Sequence, residues 1–382
     1  MHRGNEILIP YARQSISHRD VYAVVKSLRN DFLTTGPLVE KFENELESVV
    51  GAPTVVVSSG TAALHAAYSA IELQPGDEII ASPMTFIATH ATAALFGAKI
   101  VFADINRKTG NIDPANVEAL INHRTKAVVG VDYAGQPIEL DELKRITEKN
   151  NIYLVEDAAH SLGSKYKEKS VGSVADITTF SFFATKNITS GEGGAVASNN
   201  PNLLDRARFF SRQGMVRNSN DFKLTDQGAW HQEVHEFGLN YRLPDILCAL
   251  GISQLQKLDQ FKTKRNTIRE NYLQALKDVN GIEFLEKDGT SDPVWHLFPI
   301  FVPKESRSQI FDDLAKWGIK AQVNYIPSYW HPVFQDLGYK RGLCPNAEDF
   351  YQRELSLPFY VDLTRRKQQE IIKAIKSLAS NL

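Results

Sequence analysis

The chain has 382 residues, 43% of them hydrophobic and 23% charged, with two cysteines and a formal net charge of -2 at pH 7. This is the composition of an ordinary globular protein, long enough for two or three domains and a sizeable core. So balanced a charge, with no long run of one sign, argues against nucleic acid or an anionic membrane as the main partner. Cys248 and Cys344 lie far apart and make neither a disulfide framework nor a zinc motif, so a reducing compartment and no metal are expected. The opening MHRGNEILIPYARQS lacks the apolar core of a signal peptide, and no stretch is apolar enough to span a bilayer. A cytoplasmic setting is expected.

From residue 54 to residue 200, short apolar runs alternate with helical segments. TVVVSS leads into GTAALHAAYSAIEL, DEIIASP into TFIATHATAALFG, AKIVFADI into NVEALINH, and KAVVGVDYAG into ELDELKRITEKN, with IYLVEDAA following. Strand–helix alternation with fully apolar strands predicts a mostly parallel sheet covered by helices. ITTFSFFA and GGAVAS read as two more strands, joined by a loop that carries Lys186. After residue 242, a stretch from LPDILCALG to ENYLQAL reads as one long helix or two. A strand VWHLFPIFV, a helix SQIFDDLAKWG, a strand IKAQVNYI and a final helix follow. The expected division is a large domain over residues 1–245, then a long linking helix and a smaller α/β domain over residues 246–382.

In open α/β sheets, ligands sit at the carboxyl ends of the strands. Four stretches place polar groups there. In SSGTAAL, Gly60 and Thr61 open a helix whose free N–H groups and dipole favour a phosphate; the plain alternative is N-capping by Ser59 or Thr61. In LVEDAAH, Glu156 and Asp157 end an apolar strand, where a carboxylate needs a cationic partner. That partner is a ring nitrogen, or else a salt bridge or a helix cap. His160 faces the same ligand if a helical turn starts here. In TFSFFATKNITSGEGG, Ser181 precedes Lys186 by five residues, and a desolvated lysine becomes a nucleophile; the alternative is a surface lysine. In FGLNYRLPDI, Asn240 and Arg242 precede a helix, or else sit on a polar turn. A phosphate cradle, a carboxylate for a pyridinium and a lysine for an aldehyde are together what pyridoxal 5'-phosphate requires. Phe86 is placed to stack on its ring. Arg242 suits phosphate oxygens of a substrate, and Tyr325 and His331 in VNYIPSYWHPVF combine aromatic area with polar tips.

SSGTAAL, EDAAH, TFSFFATKNITSGEGG and LNYRLPDI, in this order, resemble the sugar aminotransferases of the DegT/DnrJ/EryC1/StrS family. The likeness extends to LTTGPLVEKFE and WHLFPI. It implies a fold-type-I aminotransferase architecture and a homodimer with shared active sites. It also implies that Lys186 binds the cofactor aldehyde, Asp157 pairs with the ring nitrogen and His160 stands near the ring's phenolic oxygen. Gly60, Thr61 and Ser181 would hold the phosphate, reached also by Asn240 of the partner subunit. One subgroup of the family carries histidine in place of the lysine and dehydrates instead; Lys186 argues against it. The reaction implied moves an amino group from L-glutamate to a nucleotide-linked keto sugar, for amino-sugar and surface polysaccharide biosynthesis. VDYAGQ and WHQEVHEFGLNYRLPDIL look most like enzymes that aminate C4 of UDP-4-keto-6-deoxy-N-acetylhexosamines, as in the pseudaminic acid pathway. Amination at C3 or of another keto sugar, and an inert cofactor-binding regulator, are the alternatives.

Overall fold

The structure, a computed structural model, describes residues 8–224 and 226–380. Residues 1–7 of the opening stretch lie outside the described part. The central sheet has seven strands: β1 (Thr54–Val57), β2 (Glu78–Ala81), β3 (Lys99–Phe102), β4 (Thr125–Val131), β5 (Tyr153–Asp157), β6 (Ile177–Ser181) and β7 (Gly194–Ala197). Their order is β1-β7-β6-β5-β4-β2-β3. The pairs β2–β3, β2–β4, β4–β5 and β5–β6 are parallel. Only β7 runs against its neighbours β1 and β6. The expected α/β class, a mostly parallel sheet between helices, therefore holds.

Side chains alternate across each strand, so one strand feeds two cores. Ile79, Ala127, Val129, Val155 and Ile177 pack with the alanine-rich α3 (Gly60–Ala70) on one face. Ile80, Val128 and Leu154 pack with Leu140, Leu143 and Ile146 on the other. Two helices ahead of the sheet, α1 (His18–Leu28) and α2 (Pro37–Val50), escaped the sequence reading. Helix α2 buries Phe42, Leu46 and Val50 against β1, β7 and α5 (Asp245–Leu255). Helix α4 (Ala88–Leu95) follows β2.

The predicted long helix is two, α5 and α6 (Leu258–Leu276), broken at Gln256–Lys257. Beyond them β8 (Glu283–Phe284), β9 (Pro299–Phe301) and β10 (Glu354–Ser356) form an antiparallel sheet. VWHLFPIFV contributes only its last third as strand. IKAQVNYI is extended chain held by single bridges at Ile319 and Gln322 rather than a ladder strand. The reason is visible: Asn324 gives its backbone N–H to Glu354 Oε2 (2.7 Å) instead of to a strand carbonyl. The chain end near Ile9 is tied to this part of the molecule, with Ile9 N–H bonded to Gly318 O (2.8 Å).

One glycine fixes how the strand-end loops meet. Gly135, after β4, has φ +101°, and a Cβ there would lie 2.3 Å from Val294 O and 3.1 Å from both His160 O and His296 N. Gly135→Ala is expected to destabilise the protein by about 1–3 kcal/mol, through left-handed strain and overpacking against backbone. Thermal denaturation checks this; an unchanged midpoint would mean that the loops shift without cost.

Candidate active site

Because β1, β2, β4, β5 and β6 all point the same way, their carboxyl ends deliver polar groups to one edge of the sheet. A cavity of about 480 Å³ opens there, lined among others by Gly60, Phe86, Asp157, His160, Ser181 and Lys186. Thr61 and Tyr325 line it as well.

Asp157 is the last residue of β5 and is 4% exposed. Its Oδ2 accepts from Thr89 Oγ1 (2.7 Å) and its Oδ1 from Ala159 N–H (3.2 Å). Burial raises its pKa; these two donors and the charge of Lys186 oppose the rise. Lys186 sits in a turn after β6, its N–H bonded to Phe183 O (3.0 Å), and is half-buried. Burial pushes its amine down to about 8, with Asp157 pulling the other way. An amine so placed is a free base in a useful fraction near neutrality.

At the other end of the cavity, Ser59 Oγ caps α3 by accepting from Ala62 N–H (3.0 Å). The first helical bond runs from Ala63 N–H to Ser59 O, so the Gly60 and Thr61 amides precede it. Ser59 thus caps the helix and leaves the Gly60 and Thr61 amides ahead of the first intrahelical bond. A Cβ on Gly60 would lie 2.8 Å from Ser181 Cβ. Only glycine lets the helix N-terminus approach the end of β6, which brings the Ser181 hydroxyl beside the free amides.

His160 is 5% exposed, with Nε2 3.1 Å from the Tyr325 hydroxyl and its ring 4.4 Å from that of His296. Burial first, then Lys186, holds its pKa well below the ordinary histidine value, so it is neutral. Its Nδ1 is buried without a partner among the described residues. Phe86 is 62% exposed at the rim.

Two expected residues, Arg242 and His331, do not reach this cavity within one chain, and Asn240, expected from the partner subunit, does not reach its own. Asn240 is exposed, bridging Arg212 through its backbone. Arg242 bridges Val57 and opens on a second cavity of about 710 Å³, shared with Arg208, Arg212 and Arg217. Its Nη1 reaches only Gln213 Oε1, at 3.4 Å. His331 precedes the short helix Pro332–Asp336 outside the cavity. Sequence reasoning in turn missed Thr85, Thr89 and His296, which line the site. The spacing of two threonines by four at a strand-to-helix turn was the one available signal.

The donor set fits a phosphorylated pyridine aldehyde: free helix amides and a hydroxyl at one end, a buried carboxylate in the middle, a low-pKa amine alongside. Residues 14–376 match the DegT/DnrJ/EryC1/StrS aminotransferase family. The chain is 37% identical over 363 residues to the UDP-4-amino-4,6-dideoxy-N-acetyl-beta-L-altrosamine transaminase of Campylobacter jejuni (strain 81-176), with 93% of each chain covered. It superposes with a TM-score of 0.92 and 33% identity on Helicobacter pylori PseC, an aminotransferase involved in the biosynthesis of pseudoaminic acid, covering 98% of this chain and 100% of that one. On the PLP-form of Spr1654 from Streptococcus pneumoniae the TM-score is 0.91 at 29% identity, over 98% and 99% of the two chains. The chain belongs to the DegT/DnrJ/EryC1/StrS aminotransferase family, and its cofactor is pyridoxal phosphate.

Proposed function

We propose that this aminotransferase moves the amino group of L-glutamate to C4 of a UDP-linked 4-keto-6-deoxy-N-acetylhexosamine, in the cytoplasm, for surface polysaccharide synthesis. The observation that carries the chemistry is Lys186, an amine lowered to about 8 in the same cavity as the buried Asp157. The similarity to the Campylobacter transaminase of a UDP-4-amino-4,6-dideoxy sugar supports the sugar and its ring position. When bound, the cofactor supplies an aldehyde to carry nitrogen and a ring that draws electrons from the bond being broken. Asp157 keeps a proton on the ring nitrogen, since an opposite charge favours the charged form. Gly60, Thr61 and Ser181 would hold the phosphate. Neutral His160, hydrogen-bonded to Tyr325, would stand near the ring's oxygen, and Phe86 would stack on the ring. Lys186 Nζ takes the proton from the α carbon of glutamate and, in the second half, delivers one to C4 of the sugar. A screen of UDP- and dTDP-linked 4-keto and 3-keto sugars with glutamate tests this reading. Turnover of 3-keto sugars alone would move the reaction to C3.

Two features support a homodimer with shared sites. Asn240 faces solvent beside Phe237, which is fully exposed, and Trp230, which is 81% exposed. Helix α1 presents Val21 and Tyr22, with Phe32 and Leu33 beyond its end, to solvent as well. A two-fold axis burying such surfaces would carry Asn240 into the partner's phosphate seat.

Lys186→Ala is expected to abolish turnover and the visible absorbance of lysine-bound cofactor. In the parent, capture of pyridoxal phosphate by cofactor-free protein should slow as pH falls through about 8, where burial places the amine, because only the unprotonated form attacks. At two pH units below that value, capture should be roughly a hundredfold slower. Stopped-flow absorbance reads both.

Arg242→Ala is expected to raise the KM for the sugar nucleotide about tenfold or more, as one charge-assisted hydrogen bond is lost, and to leave the glutamate half-reaction unchanged. Equal damage to both half-reactions would make Arg242 structural. Mixing inactive Lys186→Ala with an impaired Asn240→Ala variant, under conditions of subunit exchange, should restore activity, since one site of each mixed dimer then holds both residues. No recovery despite proven exchange would put both residues in the same site of one chain.

A further inference from the structure

We infer that Thr89, backed by Thr85, is a positioning residue that keeps Asp157 ionised and fixes the plane of its carboxylate toward the cofactor ring. The inference rests on the reading of Asp157 as the partner of the ring nitrogen.

The geometry assigns each proton. Thr89 is 1% exposed and Thr85 4% exposed, so both hydroxyls are buried beside the cavity. Thr89 Oγ1 lies 2.7 Å from Asp157 Oδ2, 2.8 Å from Thr85 Oγ1 and 3.3 Å from Phe86 O. A hydroxyl has one proton to give. A carboxylate is the strongest acceptor of the three and is also the nearest. Thr89 therefore donates to Asp157, and Thr85 donates to Thr89. A threonine in the first turn of a helix commonly turns its hydroxyl back to a carbonyl. Here the carbonyl contact is the long one, and the hydroxyl is spent on the carboxylate instead.

The arrangement answers an electrostatic need. Glu156 and Asp132, both fully buried, lie close enough that the charge of Asp157 raises the pKa of each. Burial raises the pKa of all three carboxyls. Asp157 differs in facing Lys186; like Asp132, which accepts from Ser161 Oγ and Ile138 N–H, it has a hydroxyl on one oxygen, from Thr89, and a backbone N–H on the other, from Ala159. Donors on both oxygens define the carboxylate plane. Without the hydroxyl, one oxygen would be free to turn, and the neutral acid, unable to hold a proton on the ring, would gain ground.

The test compares Thr89→Val, which keeps the shape and loses the hydroxyl, with Thr89→Ser, which keeps the hydroxyl. Cofactor release from the holoprotein is followed by loss of visible absorbance, and kcat and KM for glutamate are measured beside it. In Thr89→Val, release should be about tenfold faster, the loss expected for one hydrogen bond to a charged group. Its kcat should fall by a similar factor at unchanged KM. Thr89→Ser should restore both to near the parent. Thr85→Val should shift release in the same direction by a smaller factor, and unchanged release there would overturn the backing role of Thr85. If valine is not tolerated, Thr89→Ala takes its place with the same expectation. Parent-like release and kcat in Thr89→Val, or equal loss in the valine and serine variants, would overturn the inference. Asp157→Asn separates the two levels. If it too behaves as the parent, the reading of Asp157 itself is wrong; if it is impaired while Thr89→Val is not, the inference alone falls.

Discussion

Two groups of opposite charge type, Asp157 and Lys186, line one cavity, and much of the molecule exists to hold them there. Burial pushes each toward neutrality, and each opposes that push in the other. For the lysine, the fall from the ordinary value of 10.5 to about 8 corresponds to roughly 3 kcal/mol of lost preference for the ammonium form. The fold tolerates this because both residues lie where parallel strands end. There the backbone leaves the sheet and side chains can face a cavity without breaking a ladder of hydrogen bonds. A covering layer of helices on each face supplies the apolar enclosure that makes the shifts possible.

The same strand that presents Asp157 sends its neighbour the other way. Glu156 points to the opposite face, where Oε2 accepts from Thr178 Oγ1 (2.9 Å) and Asp132 lies within hydrogen-bonding reach. Burial lifts Glu156 to about 7 and Asp132 well above the ordinary range. Adjacent carboxyls on one strand thus meet different surroundings: Asp157 faces Lys186, while Glu156 and Asp132 face each other. Such surroundings separate the titration of like groups.

On the far side of the cavity, the wall comes from the C-terminal part of the chain. Asn324 is pinned by Glu354, Tyr11 and Ser356, with its side-chain amide 2.7 Å from the Tyr11 hydroxyl and 3.1 Å from Ser356 Oγ. Tyr133 donates to Asn324 O (2.6 Å) from the loop after β4. This buried polar network ties the chain start, the central sheet and the small sheet together one residue before Tyr325, and so fixes the partner of His160.

Much of this was legible in the sequence. Apolar runs at regular intervals gave the parallel sheet, because strands buried on both faces carry few polar residues. The residues that interrupt those runs at their carboxyl ends, Gly60, Asp157 and Ser181, marked the cavity for the same reason. Lys186 stood out because a lysine after a buried strand needs an explanation. Other features had no such local signal. Helices α1 and α2 are amphipathic segments ahead of the first strand, and IKAQVNYI has strand-like residues whose backbone bonds go elsewhere. The break between α5 and α6 falls in a sequence with no proline or glycine at the joint. Sequence by itself thus determined which residue types stand at the strand ends, since period and polarity are local properties. Only the tertiary structure decided that Thr89 donates to Asp157, that Glu156 turns to Thr178 and Asp132, and that Arg242 and His331 lie outside the cavity in one chain. Those outcomes depend on strand register and on contacts between residues far apart in the chain, which no local pattern encodes.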